Sequence, residues 1–565
     1  MILKISDLTK LLHLSLPNRP ISYNAEDMGL SHIDYNSQPV VRKMKQELSR
    51  RDFIKLISAL PIFHIANQFG VADVLNEVQP DSGRNTKPNI IILLLDALTA
   101  RNISLYGYPR RTMPNLEKFS KRATVYHRHY ATYSGTPQST TSFFTGFYPW
   151  LHKVYNYYDK MTEEALNNNL FKWLKQGNLY HSFTYTDNLL ADIILHQFGA
   201  SIDNLLSAGS LGEFNYLLHD KLTSRDGSNS LRGLDILMFG NDSTRLSGSL
   251  VGSVLLKMIR DKHAATLSNL KEYPRGIGYS ANGRIAFTLE KSFGGIQDTL
   301  KDLENLEKPY IAYYHMYFPH APYRPNKDFV NYFNNDGFQP IFKEPHPLLT
   351  SIYKKKSIFK EMRRYYDEYI LNIDFELGLL IEHLESAGIL DRSYLVLTSD
   401  HGEMFERGLI GHGSPLLYES NVHIPLVISE PGQQVRNDVF SLTSTVDILP
   451  TLLEITGHPV SKSLDKFEGQ LLPVFGGTVA DDRLIYSMNM SENFAFSPLQ
   501  KASFAIFQGD YKLIEYYGYP ELEKSYELYN VIADPEELDD LSESKKATAD
   551  DMRAILKSKI EAVSS

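Results

Sequence analysis

The 565-residue chain contains no cysteine, which excludes a disulfide framework, a thiolate metal site and a cysteine nucleophile. Any metal must therefore sit on oxygen and imidazole ligands, a donor set that suits Mg, Ca, Mn or Zn. The absence of disulfides does not assign a compartment, because an exported protein need not carry them. No stretch reaches the roughly 18 apolar residues needed to cross a bilayer. The run Ile90 to Leu95 is cut short by Asp96 and reads as a buried parallel strand. Charge of one sign is not concentrated either: the net charge of −9 is spread along the chain. There is no basic stripe for nucleic acid and no acidic tail. What is present, 42% hydrophobic and 22% charged residues, can bury a full core. The length fits several domains, or one large α/β domain with a small appendage.

The first ninety residues carry one motif. Residues 49 to 55 read Ser-Arg-Arg-Asp-Phe-Ile-Lys, resembling the twin-arginine export signal, and the moderately apolar segment Leu56 to Ala66 follows. Gly70-Val71-Ala72 offers small residues for cleavage. Export to the periplasm or exterior is the expectation. The alternative is a cytoplasmic protein with an amphipathic surface helix. Met44 precedes the motif, so residues 1–43 are read as a disordered extension or a misassigned start, and 44–87 as signal and linker.

From residue 88 the pattern becomes that of a sheet covered on both faces. Ile90 to Leu95 is followed by Asp96, Tyr394 to Thr398 by Ser399-Asp400-His401, and Tyr310 to Tyr314 by His315. Continuous apolar runs of this length mark parallel strands, and ligand-capable groups belong at their carboxyl ends. Lys360 to Ala387 has helical apolar spacing and stops at Gly388. Residues 200–300 are less patterned and are read as an insertion near the mouth of the site. From about residue 476 alternating segments (Ala502 to Phe507, Tyr511 to Tyr516) predict antiparallel strands, and Asp550 to Ile560 a terminal helix. There are no internal repeats.

The segment Ser134-Gly135-Thr136-Pro137 opens a helix, where free backbone N–H groups and the helix dipole favour an alkoxide and the anion it attacks. Alone, this is an ordinary helix start, and Asp400-His401 alone is an ordinary turn. Together, Asp96, Thr136, Asp400 and His401 supply two carboxylates, an imidazole and a hydroxyl. That set matches a divalent ion with an open position, on which a threonine hydroxyl becomes a useful nucleophile.

The chain resembles the sulfatase-like branch of the alkaline phosphatase superfamily. The resemblance rests on Asn89 to Tyr108 with Thr112 to Asn115, on Thr136 to Pro149, on His315 to Tyr323, on Thr398 to Gly413, on Val446 to Thr451, and on the tail from Gly509 to Pro535. It implies an α/β fold, an α/β/α sandwich around a mainly parallel sheet (88–475), plus a small C-terminal α+β subdomain (476–565). It also implies Asp96, Asp400 and His401 as metal ligands, with Thr136 as ligand and nucleophile. One divalent site is expected and a second is left open. His315 and His320 align with histidines the family aims at the substrate or leaving group. His412 aligns with a substrate-binding Lys or His, or a second-ion ligand. His423 has no counterpart and reads as structural.

Two departures bear on function. Many sulfatases show consecutive Asp residues where this chain has Asp96-Ala97, and the nucleophile position holds Thr136, not the Cys or Ser that becomes formylglycine. A sulfated threonine lacks the hemiacetal exit that releases sulfate from formylglycine, whereas a phosphothreonine can be opened by water or another alcohol. The expectation is therefore hydrolysis of phosphate mono- or diesters through Thr136. The alternatives are a sulfatase, a phosphoethanolamine- or glycerol-phosphate-type transferase, and a non-catalytic binding protein on the same scaffold. The expected partner is a small-molecule, glycan or lipid ester; nucleic acid and a transmembrane domain are not expected.

Overall fold

Strand β1 (Asn89–Leu95) forms because seven consecutive residues lose nothing by leaving water on either side: all are buried. The computed structural model describes residues 87–215, 271–280, 285–349, 355–458, 460, 466–478 and 482–564. The extension 1–43, the twin-arginine segment and much of the expected insertion (216–270 and 281–284) lie outside the described residues.

In chain order the elements that position the site are β1, α1 (Pro114–Ser120), β2 (Thr124–Tyr126), α2 (Thr136–Thr145), β3 (His181–Thr186), α3 (Leu189–Phe198) and β4 (Asn204–Leu205). Next come α4 (Leu289–Leu303), β5 (Tyr310–Met316), α5 (Lys356–Ser386), β6 (Ser393–Thr398), β7 (Met404–Glu406), β8 (Leu409–Gly411), β9 (Leu426–Ser429), β10 (Asn437–Val439) and α6 (Ile448–Ile455). Eight strands form the central sheet in the order β10-β2-β9-β6-β1-β5-β3-β4. The five from β6 to β4 run parallel. Only β9 opposes its neighbours, pairing antiparallel with both β6 and β2.

Alternation along β1 distributes its side chains between two cores. Ile91, Leu93 and Leu95 pack with Phe293, Ile296 and Leu300 of α4 and with Tyr369, Ile373 and Leu377 of α5. Ile90, Ile92 and Leu94 face Phe143 and Phe144 of α2, Ile194 and Leu195 of α3, and Leu449 and Leu452 of α6. Helices on both faces explain why the strand reads as one unbroken apolar run. This is the expected α/β/α arrangement. The α4 helix, inside the stretch read as insertion, belongs to the main core. β5 extends two residues further than its apolar run, so His315 lies within the strand, where pairing with Leu94 of β1 fixes it.

A second sheet of four antiparallel strands follows: β11 (Leu484–Asn489), β12 (Ala502–Gln508), β13 (Tyr511–Tyr517) and β14 (Tyr526–Asn530). The terminal helix α7 (Lys546–Ser564) closes the chain, longer at both ends than its apolar pattern indicated. The C-terminal sheet shares cores with the larger part of the chain: Ile485, Ala505 and Phe507 pack with Tyr130, Met404 and Leu416. Among the described residues no helix is long and apolar enough to cross a membrane.

Candidate active site

Four neighbouring strands of the sheet deliver the site. β3, β5, β1 and β6 bring Asn188, His315, Asp96 and the Asp400-His401 pair to one edge, the carboxyl end where side chains are not needed for ladder packing. Asp96 continues the ladder through its N–H, which donates to the Met316 carbonyl at 2.9 Å. Ala97 then turns with a positive φ of 61°, and its N–H donates to Asp400 Oδ1 at 3.2 Å. Ser399 locks the two strand ends together. Its hydroxyl donates to the Leu95 carbonyl at 2.7 Å and accepts the Leu98 N–H at 2.9 Å. All of these groups are buried.

The tautomer of His401 follows from its surroundings. Nδ1 lies 3.0 Å from the Gly402 carbonyl, which can only accept, so Nδ1 carries the hydrogen and Nε2 presents its lone pair to the cluster. That Nε2 stands 3.2 Å from Thr136 Oγ1, 3.5 Å from Asp96 Oδ1 and 3.4 Å from Asp400 Oδ2. Thr136 begins α2 after an extended Gly135, and only 4% of its surface is exposed. The four residues read as a set in the sequence therefore converge on one point.

His315 is placed differently from the expectation. Its Nε2 lies 3.7 Å from Asp96 Oδ2 and 3.6 Å from Asp400 Oδ2, and the residue is fully buried, so it faces the carboxylates from inside the sheet. His320 and His412 sit at the outer side: their rings are 4.7 Å apart, and the His412 ring is 4.1 Å from that of His401. His423 Nε2 lies 2.9 Å from the His127 carbonyl.

Sequence reasoning missed Asn188. Its carbonyl caps α3 by accepting the N–H of Leu190 at 2.7 Å and of Ala191 at 3.4 Å. That fixes the amide orientation and aims the NH2 group at Asp96 Oδ2 and at Thr136 Oγ1, 3.4 Å away. An Asn between a strand and a helix usually announces only a cap. Nothing further in the sequence marked it, because the strand before it becomes a neighbour of β5 only in the fold.

Burial pushes the Asp96 carboxyl up to about 7, and the like charge of Asp400 adds to this. Burial acts upward on Asp400 too, but His401, His315 and the Ala97 N–H outweigh it and hold Asp400 below its ordinary value. Burial lowers His412 to about 4 and raises Glu403 to about 7. Asp96 Oδ1, Asp400 Oδ2 and His315 Nε2 are buried and have no hydrogen-bond partner. One ligand atom from each of Asp96, His315 and Asp400 falls within 4.8 Å of the others. Buried, unpartnered acid and imidazole atoms this close together are relieved either by a proton on Asp96 or by a cation among them, and two carboxylates with imidazole nitrogens are a donor set that fits a divalent metal. Bound there by Asp96, Asp400 and His401, with His315 adjoining, such an ion would acidify the Thr136 hydroxyl and draw an ester oxyanion.

A profile of the family described as Sulfatase matches residues 88–189 and 288–458, and one described as N-sulphoglucosamine sulphohydrolase, C-terminal, matches 412–565. Arylsulfatase K of Rattus norvegicus is 29% identical over 187 residues, 32% of this chain and 32% of that protein. The match thus spans about a third of the length of that relative. Choline-sulfatase of Rhizobium meliloti (strain 1021) is 23% identical over 485 residues, covering 82% of this chain and 84% of the relative. The crystal structure of a phosphonate monoester hydrolase of Agrobacterium radiobacter has the same fold, with a TM-score of 0.57 at 18% identity, over 84% of this chain and 95% of that one. Strand-end carboxylates, a helix-start hydroxyl and both profiles agree in likening this chain to the sulfatases over residues 88–189 and 288–565.

Proposed function

We propose that this chain hydrolyses a sulfuric ester at a divalent cation, with the Thr136 hydroxyl as the attacking group. The observation that carries the metal-dependent part is the cluster of buried polar atoms without hydrogen-bond partners on Asp96, Asp400 and His315, together with His401 Nε2 beside Thr136 Oγ1. Sulfur is favoured by the names of the relatives, an arylsulfatase and a choline-sulfatase. This reverses the order of preference that Thr136 alone suggested.

Thr136 Oγ1 bonds to sulfur as its proton passes, by way of water, to Nε2 of His412 or His320, and the S–O bond to the alcohol breaks. The same histidine, one of the two partly exposed at the outer side, then hands that proton to the leaving oxygen. Water then cleaves the threonine O–S bond, releasing sulfate and restoring the hydroxyl. Asn188 holds Oγ1 through its NH2 group throughout. Replacing Asn188 with alanine is expected to lower kcat about tenfold or more by removing that donor. The lost cap is expected to lower stability by about 1 kcal/mol, readable by urea denaturation.

A second reading, hydrolysis of a phosphate or phosphonate ester or transfer to another alcohol, is favoured by the threonine itself. Its phosphoester can be opened by water without the hemiacetal that a formylglycine supplies. Parallel assays with nitrophenyl sulfate, nitrophenyl phosphate and a nitrophenyl phosphonate separate the readings. Turnover of the sulfate above the others supports the first. Turnover of phosphorus esters alone overturns it in favour of the second. Export by the twin-arginine route belongs to the same proposal, and cell fractionation with an Arg50→Lys, Arg51→Lys variant tests it.

A further inference from the structure

Glu403 is a buried acid that the mechanism above does not use. It directly precedes β7, and His412 directly follows β8. These strands form an antiparallel hairpin in which Met404 faces Gly411, Phe405 faces Ile410 and Glu406 faces Leu409. Extending that register by one pair sets residue 403 opposite residue 412. Glu403 Oε1 lies 3.0 Å from His412 Nδ1, with 1% of the Glu403 side chain exposed against 19% of the His412 side chain. Glu403 Oε2 has no hydrogen-bond partner. The hairpin base is anchored beside the nucleophile, since the Gly413 N–H donates to the Ser134 carbonyl at 2.7 Å. A carboxyl group withheld from water in this way, facing one ring nitrogen of a half-buried histidine, fixes which edge of the ring points outward.

We propose that Glu403 is a positioning residue for ester cleavage: it accepts the Nδ1 hydrogen of His412 and so presents His412 Nε2 to the ester. The inference rests on the hydrolytic reading of the site, but its geometric half does not. Glu403 touches neither ester nor nucleophile and acts through His412 alone. The hairpin is therefore a device that converts a nine-residue sequence separation into one hydrogen bond, and its two-residue turn (Arg407 and Gly408, both at positive φ) keeps the register.

The test combines Glu403→Ala, Glu403→Gln, His412→Ala and the Glu403→Ala/His412→Ala double variant, each assayed on the best ester and analysed for divalent metal. Glu403→Ala is expected to lower kcat about ten- to a hundredfold, the range for supporting hydrogen bonds to site histidines, at unchanged metal content. Glu403→Gln, which keeps an acceptor oxygen, is expected to restore most of that rate. The double variant is expected to be no slower than His412→Ala. Losses that multiply in the double variant, or a fall in metal content that accounts for the rate, overturn the proposal. Nitrogen-15 NMR of labelled His412 reads the geometry without turnover. Hydrogen on Nδ1 in the wild type and its loss from that site in Glu403→Ala are expected, and hydrogen on Nε2 in the wild type overturns the proposal. If no ester is turned over by the wild type, the hydrolytic reading fails while the NMR result still decides the role of Glu403.

Discussion

Thr136→Ala is expected to lower kcat by about a thousandfold or more while leaving divalent metal content close to that of the wild type. Removing a nucleophile that acts within a catalytic unit costs nearly the whole of that unit's contribution, so the residual rate should be what binding and electrostatics provide. Metal should stay because Asp96, Asp400 and His401 are untouched and His315 remains beside them. Little change in fold is expected, since Thr136 opens its helix behind an extended Gly135 and alanine is tolerated there. Steady-state kinetics together with elemental analysis check both halves. An alanine variant that turns over within a few fold of the wild type would leave the threonine no covalent role, and water would have to be the attacking group. Burst kinetics in the wild type would separate these cases, because only a covalent intermediate releases alcohol ahead of acid.

Stripping the metal with a chelator is expected to abolish turnover and to lower stability. A cation at a hundredfold excess over its Kd contributes about 2.7 kcal/mol to a folded state that alone can bind it, and that contribution disappears with the ion. The apo site also carries a signature in pH. With the metal absent, burial and the charge of Asp400 raise the Asp96 carboxyl to about 7, so below that value Asp96 holds a proton that an incoming cation must displace. One displaced proton makes affinity rise about tenfold for each pH unit up to about 7 and level off above it. Titration calorimetry in buffers of different ionisation enthalpy reads the proton directly. Binding that releases no proton at pH 6, or affinity that falls with rising pH over this range, would remove Asp96 from the ligand set.

The parts of this protein legible in its sequence are those written in contiguous residues. Ile90 to Leu95 is apolar at every position because helices cover both faces of its strand, and that covering is what the unbroken run records. Asp96 stands immediately after such a run and Asp400-His401 one residue beyond another, so the carboxyl-end rule set them at one edge of the sheet without a structure. Thr136 was marked by the helix start it opens. The long helix α5 was marked by its spacing and by Gly388, whose positive φ of 65° ends it. Both of its limits shifted, from Lys360 to Lys356 and from Ala387 to Ser386, because helix ends depend on local hydrogen bonds more than on apolar periodicity.

What escaped the sequence depends on strand order and register. His315 looked like a residue after a strand and was assigned to the substrate, yet pairing with β1 keeps it inside the strand and turns it to the carboxylates. Asn188 looked like a cap, and it is one; only the adjacency of β3 to β5 brings its amide to Thr136. Glu403 and His412 meet through a hairpin whose register no composition announces. The antiparallel course of β9 was equally silent, since four buried residues read the same in either direction.

By itself, then, the sequence determined the fold class and the absence of thiol chemistry, and it nominated Asp96, Thr136, Asp400 and His401 as groups to hold a cation. Those properties follow from side-chain chemistry and from periodicities a few residues long. The tertiary structure decided which nitrogen of His401 faces Thr136, that His315 adjoins the carboxylates, and that Asn188 reaches the nucleophile. Each of those facts is a contact between residues at least 52 positions apart, His315 with Asp400 and Asn188 with Thr136 among them. Such contacts are selected by the packing of whole elements against one another, and local propensity carries no record of them.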